Sequence, residues 1–133
     1  MLIDTTVWID WLRGQASATT DRLTRLLDEG DAVMAPVILQ ELLQGARSPQ
    51  ALTTLRASFS DLPMLIADVD TYADAGALYA RCRWKGYTPR SPHDCLIAQL
   101  AIDNRLLLLH DDRDFEFIAR IEPKLLCWRH SEE

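Results

Sequence analysis

The sequence predicts an α/β fold: a short parallel sheet of four to five strands with helices on both faces. Three observations predict it. Short apolar runs alternate with amphipathic stretches along the whole chain, the pattern of strand–helix units rather than of hairpins or a bundle. Leu106-Leu107-Leu108-Leu109 is apolar without alternation, as in a strand covered on both faces. The 133 residues, 48% of them hydrophobic, suit one domain spanning 1–133, with a core that needs neither disulfide nor structural metal.

Met1 to Asp4 reads as a buried strand, followed by a helix from about Thr5 to Arg13 that Gly14 ends. Thr20 or Asp21 can cap a second helix carrying Leu23, Leu26 and Leu27 and stopping at Gly30. Ala32 to Ala35 is a second strand. Pro36 then opens a helix, where its missing N–H costs nothing, and this helix runs to Gly45 or Ala46. Ser48-Pro49 starts another, with Leu52, Leu55 and Phe59 on one face. Met64 to Ala67 is a third strand, and a long helix runs from about Val69 to Lys85. Ser91 can cap a helix from Pro92 to near Asn104. Leu106 to Leu109 is the fourth strand, Asp112 caps a helix to about Arg120, and Lys124 to Cys127 is a fifth, edge strand.

Some function classes are excluded early. No apolar run approaches the ~20 residues that span a bilayer, and the N-terminus has no signal-peptide pattern. Cys82, Cys95 and Cys127 match no zinc spacing and read as buried thiols in a reducing cytoplasm. The net charge of −6 is the wrong sign for a plain nucleic-acid binder. The excess is concentrated, however. Setting aside Asp4, Glu41, Asp94, Asp111, Asp112 and Asp114 from the 20 acids leaves 14, equal to the 14 Lys and Arg. If those six converge, a bound divalent ion offsets much of the excess.

Four acids stand where a solvated surface acid has no need to be. Asp4 ends the first strand and Asp112 follows the fourth, at the edge where parallel sheets place ligands. Glu41 lies mid-helix in line with Val37, Ile38 and Gly45, on or bordering the apolar face. Asp94 tops a stripe made by Ile97, Ala98 and Ala101. Singly, Asp4, Asp94 and Asp112 are explained as helix caps or first-turn acids. Glu41 resists that account, because burying an unpaired carboxylate costs several kcal/mol. Four carboxylates at one edge form an oxygen nest suited to Mg²⁺ or Mn²⁺, and such ions serve phosphodiester hydrolysis.

Once these residues are placed, the chain resembles the PIN-domain ribonucleases, in particular the VapC toxins of toxin–antitoxin pairs. The stretches that carry the resemblance are Leu2-Ile-Asp-Thr-Thr-Val-Trp-Ile9, Val37-Ile-Leu-Gln-Glu-Leu-Leu-Gln-Gly45, Asp94-Cys-Leu-Ile-Ala98 and Leu107-Leu-Leu-His-Asp-Asp-Arg-Asp-Phe115. Each is weak alone; the four in order cover nearly the whole chain. The resemblance implies a three-layer α/β/α domain in which Asp4, Glu41, Asp94 and Asp112 are the catalytic metal ligands for Mg²⁺ or Mn²⁺. It gives Thr6 a hydroxyl contact to a ligand or water, beside its plain role in helix capping, and Asp114 a further contact to the site, beside that of a first-turn acid. It implies endonucleolytic cutting of RNA, often tRNA or rRNA, a homodimer, and a cognate antitoxin whose inserted Arg can pair with the acids. His110 stands where the family often has Thr or Ser. With Asp111 beside it, that departure leaves two acids to choose from, and the spacing to Asp114-Phe115 selects Asp112. His110 reads as structural or exposed before it reads as a general base.

Trp8 and Trp11 read as core, with an interface role for any exposed part. Arg81, Arg83, Lys85 and Arg90 read as a solvated face that holds RNA phosphates if it flanks the acids; Trp84 and Tyr87 are then candidates to stack bases. The rivals are a metal-dependent phosphatase on a similar sheet, a non-catalytic binding module and a DNA nuclease. Against the phosphatase, Asp4-Thr5-Thr6 lacks a second Asp two residues on, and no Lys follows the fourth strand. Against the module, a silent copy has no reason to keep buried charges. Against the DNA nuclease, the chain is short and carries no evident DNA-binding appendage.

Overall fold

In the computed structural model, which describes residues 1–130, two strands and seven helices are regular. They are β1 (Leu2–Ile3), α1 (Thr5–Leu12), α2 (Ala18–Glu29), α3 (Pro36–Leu43), α4 (Pro49–Ser58), α5 (Val69–Trp84), α6 (Pro92–Asp103), β2 (Leu108–Leu109) and α7 (Arg113–Ile121). β1 and β2 pair in parallel, Leu2 opposite Leu108 and Ile3 opposite Leu109. Three further segments join by single parallel bridges: Leu2 to Val33, Met34 to Met64, and Leu108 to Cys127. The order across the molecule is therefore Met64, Val33–Met34, β1, β2, Cys127, all parallel. Four to five regular strands are expected from the sequence; among the described residues two are regular.

Proline explains part of that shortfall. A ladder needs an N–H at every second residue, and proline has none. The Met34 N–H donates to the Pro63 carbonyl and Leu65 returns a bond to Met34, but Pro36 then opens α3. On the other side, Leu108 is bonded on both sides of its residue, to Leu126 and from Trp128, and the chain leaves at His110. The buried apolar pair is likewise narrower than the four-leucine run suggests: Leu108 and Leu109 are sealed, whereas Leu107 is 38% exposed.

Most helix ends follow the local chemistry. Gly30 ends α2 with φ +76°, a conformation only glycine adopts without strain. The cap of α2 is Ser17, not Thr20 or Asp21: Thr20 sits at the third helical position and its hydroxyl closes the capping box. In α4 the expected inward face is thin, because no helical residue is buried and Leu52 is exposed; Phe59, just past its end, makes the core contact. Helix α6 carries an uninterrupted buried run from Cys95 to Ala101. It packs on α5 and also meets α3 and α7. Trp8 is core, lying edge-on to Trp11 and to Phe59 at 5.9 and 5.2 Å between ring centres. No helix among the described residues is long and apolar enough to cross a membrane.

Candidate metal centre

Four helices bring one acid each to the edge where β1 and β2 end. Asp4 follows β1 directly and caps α1, accepting the Thr6 N–H at 3.4 Å. It is 3% exposed. Burial lifts its carboxyl to about 7; the Thr5 and Thr6 N–H groups oppose the shift, and the charges of Glu41 and Asp112 add to it. Glu41 comes from α3 and borders the core. Its Oε1 accepts the Thr5 hydroxyl at 3.0 Å, and His93 Nδ1 lies 4.0 Å from its Oε2. Asp94 comes from the first turn of α6, held by the Ser91 cap and by the close seating of Ile97, Ala98 and Ala101. Its carboxyl also rises to about 7, first through burial and then through repulsion from Asp4, Asp112, Asp114 and Glu41.

Asp112 caps α7, its Oδ1 accepting the Asp114 N–H at 2.9 Å. Oxygens of Asp94, Asp112 and Asp114 lie within 4.8 Å of one another. Asp111, by contrast, is exposed. Asp114 is buried and spoken for on both oxygens. Tyr87 donates its hydroxyl to Oδ1, while the Arg90 Nε (2.9 Å) and backbone N–H (3.4 Å) donate to Oδ2. Burial works against ionisation there, but the Tyr87 and Arg90 bonds hold the carboxyl below its ordinary range. Arg90 reaches on to Asp112 Oδ1 at 2.8 Å. These groups face a cleft of about 570 Å³ lined by Thr6, Arg90, Ser91, Asp94, Asp112 and Arg113, among others.

The structure thus brings together Asp4, Glu41, Asp94, Asp112 and Asp114, and sets Thr6 at the cleft wall. What the sequence did not single out is Thr5, whose hydroxyl touches Glu41, and the pairing of Tyr87 with Arg90 around Asp114. The alternation in a strand-to-helix turn makes Thr5 and Thr6 equal candidates on paper; only the packing of α1 against α3 separates them. Tyr87 lies with its ring stacked on Phe117 at 4.6 Å, so that face is not free for a base. The basic run divides: Arg81 pairs with Glu122 at 3.1 Å, and Arg90 turns to the acids. His110 accepts the Asp112 N–H on Nδ1 at 3.1 Å, and burial lowers its pKa; it is a neutral structural acceptor.

Five carboxylates with one guanidinium among them leave net negative charge in a partly buried cleft. Two of the acids, Asp4 and Asp94, are lifted toward neutrality first by burial and then by repulsion from their neighbours. An all-oxygen set of this kind fits a hard divalent cation. Fold and site together define a class: a parallel α/β domain with an acidic, all-oxygen cleft beyond the carboxyl ends of its strands.

The comparisons agree. The PIN-domain profile matches residues 1–121. The chain is 41% identical over 125 residues to ribonuclease VapC11 of Mycobacterium tuberculosis, covering 91% of this chain and 92% of that one. It is similar to the DNA-bound VapBC structure from Salmonella typhimurium, with TM-score 0.75 and 25% identity over 97% of this chain and 96% of that one. It shares its fold with VapBC2 of Rickettsia felis, solved with a fragment of promoter DNA, at TM-score 0.74 and 21% identity over 96% and 98% of the two chains. The chain belongs to the PIN-domain family, among its VapC ribonucleases.

Proposed function

We propose that this chain is a metal-dependent endoribonuclease, the toxin of a toxin–antitoxin pair, cutting RNA phosphodiester bonds at a site formed by Asp4, Glu41, Asp94 and Asp112. The observation that carries this reading is the acid cluster beyond β1 and β2, where oxygens of Asp94, Asp112 and Asp114 lie within 4.8 Å of one another and Asp4 and Glu41 are near enough to raise the Asp94 carboxyl, in a chain 41% identical to a named ribonuclease. Mg²⁺ or Mn²⁺ is the ion this oxygen set favours. When bound, it supplies a more acidic water and neutralises charge on the phosphate oxygens.

The chain's own residues do the rest. Asp4, buried, and Asp94, half-buried, repel one another and so favour a shared cation. Asp112 presents a carboxylate already oriented by its cap bond. Thr5 fixes the rotamer of Glu41, and Thr6 offers a hydroxyl at the cleft wall. Asp114, saturated by Tyr87 and Arg90, supports Asp112 and contributes charge.

The single bridges at Val33, Met64 and Cys127 support reading those segments as the remaining strands of a four- to five-stranded sheet in an α/β/α sandwich, with residues 1–133 as one domain. The free thiols of Cys82, Cys95 and Cys127 suit the cytoplasm. A cognate antitoxin is supported by the likeness to chains solved as VapBC assemblies; a homodimer and a tRNA or rRNA target are carried from the family.

The test is cleavage of a small-RNA pool by the purified chain with Mg²⁺ or Mn²⁺, beside Asp4→Asn and an EDTA control. Discrete fragments, lost in both controls, are expected. Cutting that survives EDTA would overturn the metal site, and hydrolysis of a small phosphate ester with RNA left intact would favour a phosphatase.

A further inference from the structure

The nuclease reading uses Arg90 only to hold Asp114, yet the guanidinium reaches further into the acid cleft. Arg90 lies in the loop between α5 and α6, and its side chain remains 73% exposed although the guanidinium bonds two carboxylates. The bonds are specific. Nη2 donates to Asp112 Oδ1 and Nε donates to Asp114 Oδ2. Each of those oxygens already accepts a second donor: Asp112 Oδ1 takes the Asp114 N–H, and Asp114 Oδ2 takes the Arg90 backbone N–H. A carboxylate oxygen has two lone-pair positions. These two oxygens therefore have no lone pair left for a cation while the guanidinium stays, and Asp112 offers a cation only its other oxygen, beside the Arg90 charge. Yet both acids belong to the group whose oxygens approach closely enough to share one ion.

We propose that Arg90 is a resident counter-ion that competes with the divalent ion for Asp112, and that the guanidinium, once displaced, binds a phosphate of the RNA backbone. This rests on the ribonuclease reading and adds to it a substrate contact and a coupling. The same charge cannot serve both roles at once: a cation at Asp112 repels the neighbouring guanidinium and, when seated on Oδ1, takes its acceptor. The Arg90 backbone N–H, bonded to Asp114, is independent of the side chain and keeps the loop at the cleft rim. The released fork, among the residues lining the same cleft, has the planar donor geometry that matches a phosphate. Metal loading and RNA binding are thus linked through one side chain, so that the cleft presents its phosphate-binding cation when its ion is in place.

The test uses the full chain as wild type, Arg90→Met and Arg90→Lys, each checked for folding by circular dichroism and melting. Mn²⁺ affinity is measured by calorimetric titration. Retention of a labelled small-RNA pool is measured with the Ca²⁺-loaded proteins over a range of salt. Arg90→Met is expected to bind Mn²⁺ about tenfold tighter and RNA about tenfold more weakly, with a salt slope shallower by about 0.7–0.9, the signature of one lost phosphate contact. Arg90→Lys, which keeps the charge but cannot fork between two acids, should fall between them for Mn²⁺. Mn²⁺ binding by Arg90→Met that is no tighter than wild type would make Arg90 a fixed brace for Asp112 and Asp114 and overturn the proposal. So would unchanged RNA retention. If the wild type cuts RNA and Arg90→Met binds Mn²⁺ no better, this inference alone fails. If the wild type cuts no RNA with any divalent ion, it is the ribonuclease reading that fails.

Discussion

Thr5 and Thr6 show what single side chains reveal only when folded. The sequence places two hydroxyls after Asp4, and either suits a contact to a metal ligand. In the structure Thr5 turns inward to Glu41 and Thr6 lies on the cleft wall. Thr5→Val keeps the shape and removes the donor, leaving Glu41 to lose its fixed rotamer. We expect about 1 kcal/mol less stability by chemical denaturation and roughly fivefold slower RNA cleavage at saturating Mn²⁺, estimated as the same energy lost again in the transition state. Thr5→Ser should restore both. If Thr5→Val cuts normally while Thr6→Val is inactive, the hydroxyl that serves the site is Thr6's. The acids themselves were legible, since a mid-helix Glu41 beside Ile38 and Leu42 has no ordinary use. Tyr87 and Arg90 were not, because they reach Asp114 across 27 and 24 residues and no local periodicity records such a contact.

At the scale of elements, the helices could be read closely and the strands only in outline. Helices announce themselves through caps and glycine stops acting within a few residues, as at Gly30, Ser48-Pro49 and Ser91-Pro92. Strand length depends on partners distant in sequence, so the short pairing around Met34 and Cys127 was beyond local reading. Asp112 tests whether capping or charge is the reason for its place. Asparagine caps a helix about as well as aspartate. Asp112→Asn should therefore leave α7 and global stability within about 0.5 kcal/mol, whereas Asp112→Ala loses about 1 kcal/mol for want of a cap. Both should lose RNA cleavage. Full activity in Asp112→Asn would reduce this residue to a helix cap and shift attention to Asp111. The same logic applies to Ser17, whose replacement by alanine should cost about 1 kcal/mol by opening the α2 capping box without affecting cleavage.

At the scale of the whole molecule, the acid cluster makes stability depend jointly on pH and on metal. Asp4 and Asp94 are held near 7 when folded, against about 3.9 in an unfolded chain. Between those values the unfolded chain has released both protons and the folded chain has kept them. Unfolding then releases protons, so stability falls as pH rises. The sign follows: in EDTA the contribution of these two groups is full below about pH 4, is lost through the window up to about 7, and changes little above it. Each pKa unit is worth about 1.4 kcal/mol. Asp4, the more deeply buried of the two, rises by about three units, so its share of the loss is on the order of 4 kcal/mol, and the partly exposed Asp94 adds a smaller share. A divalent ion should reverse this selectively. At one hundred times its dissociation constant it adds about 2.7 kcal/mol, and it should do so at pH 8, where the acids must ionise, far more than at pH 5, where protons compete. Asp4→Asn should melt higher than wild type in EDTA at pH 8, with a flatter pH profile, and gain less from Mn²⁺. Melting curves at pH 5 and 8, with EDTA or Mn²⁺, decide the matter. A wild type equally stable at both pH values, and shifted equally by Mn²⁺, would mean that these carboxylates do not share a cation. The net charge of −6 would then be a surface property rather than the imprint of a metal site.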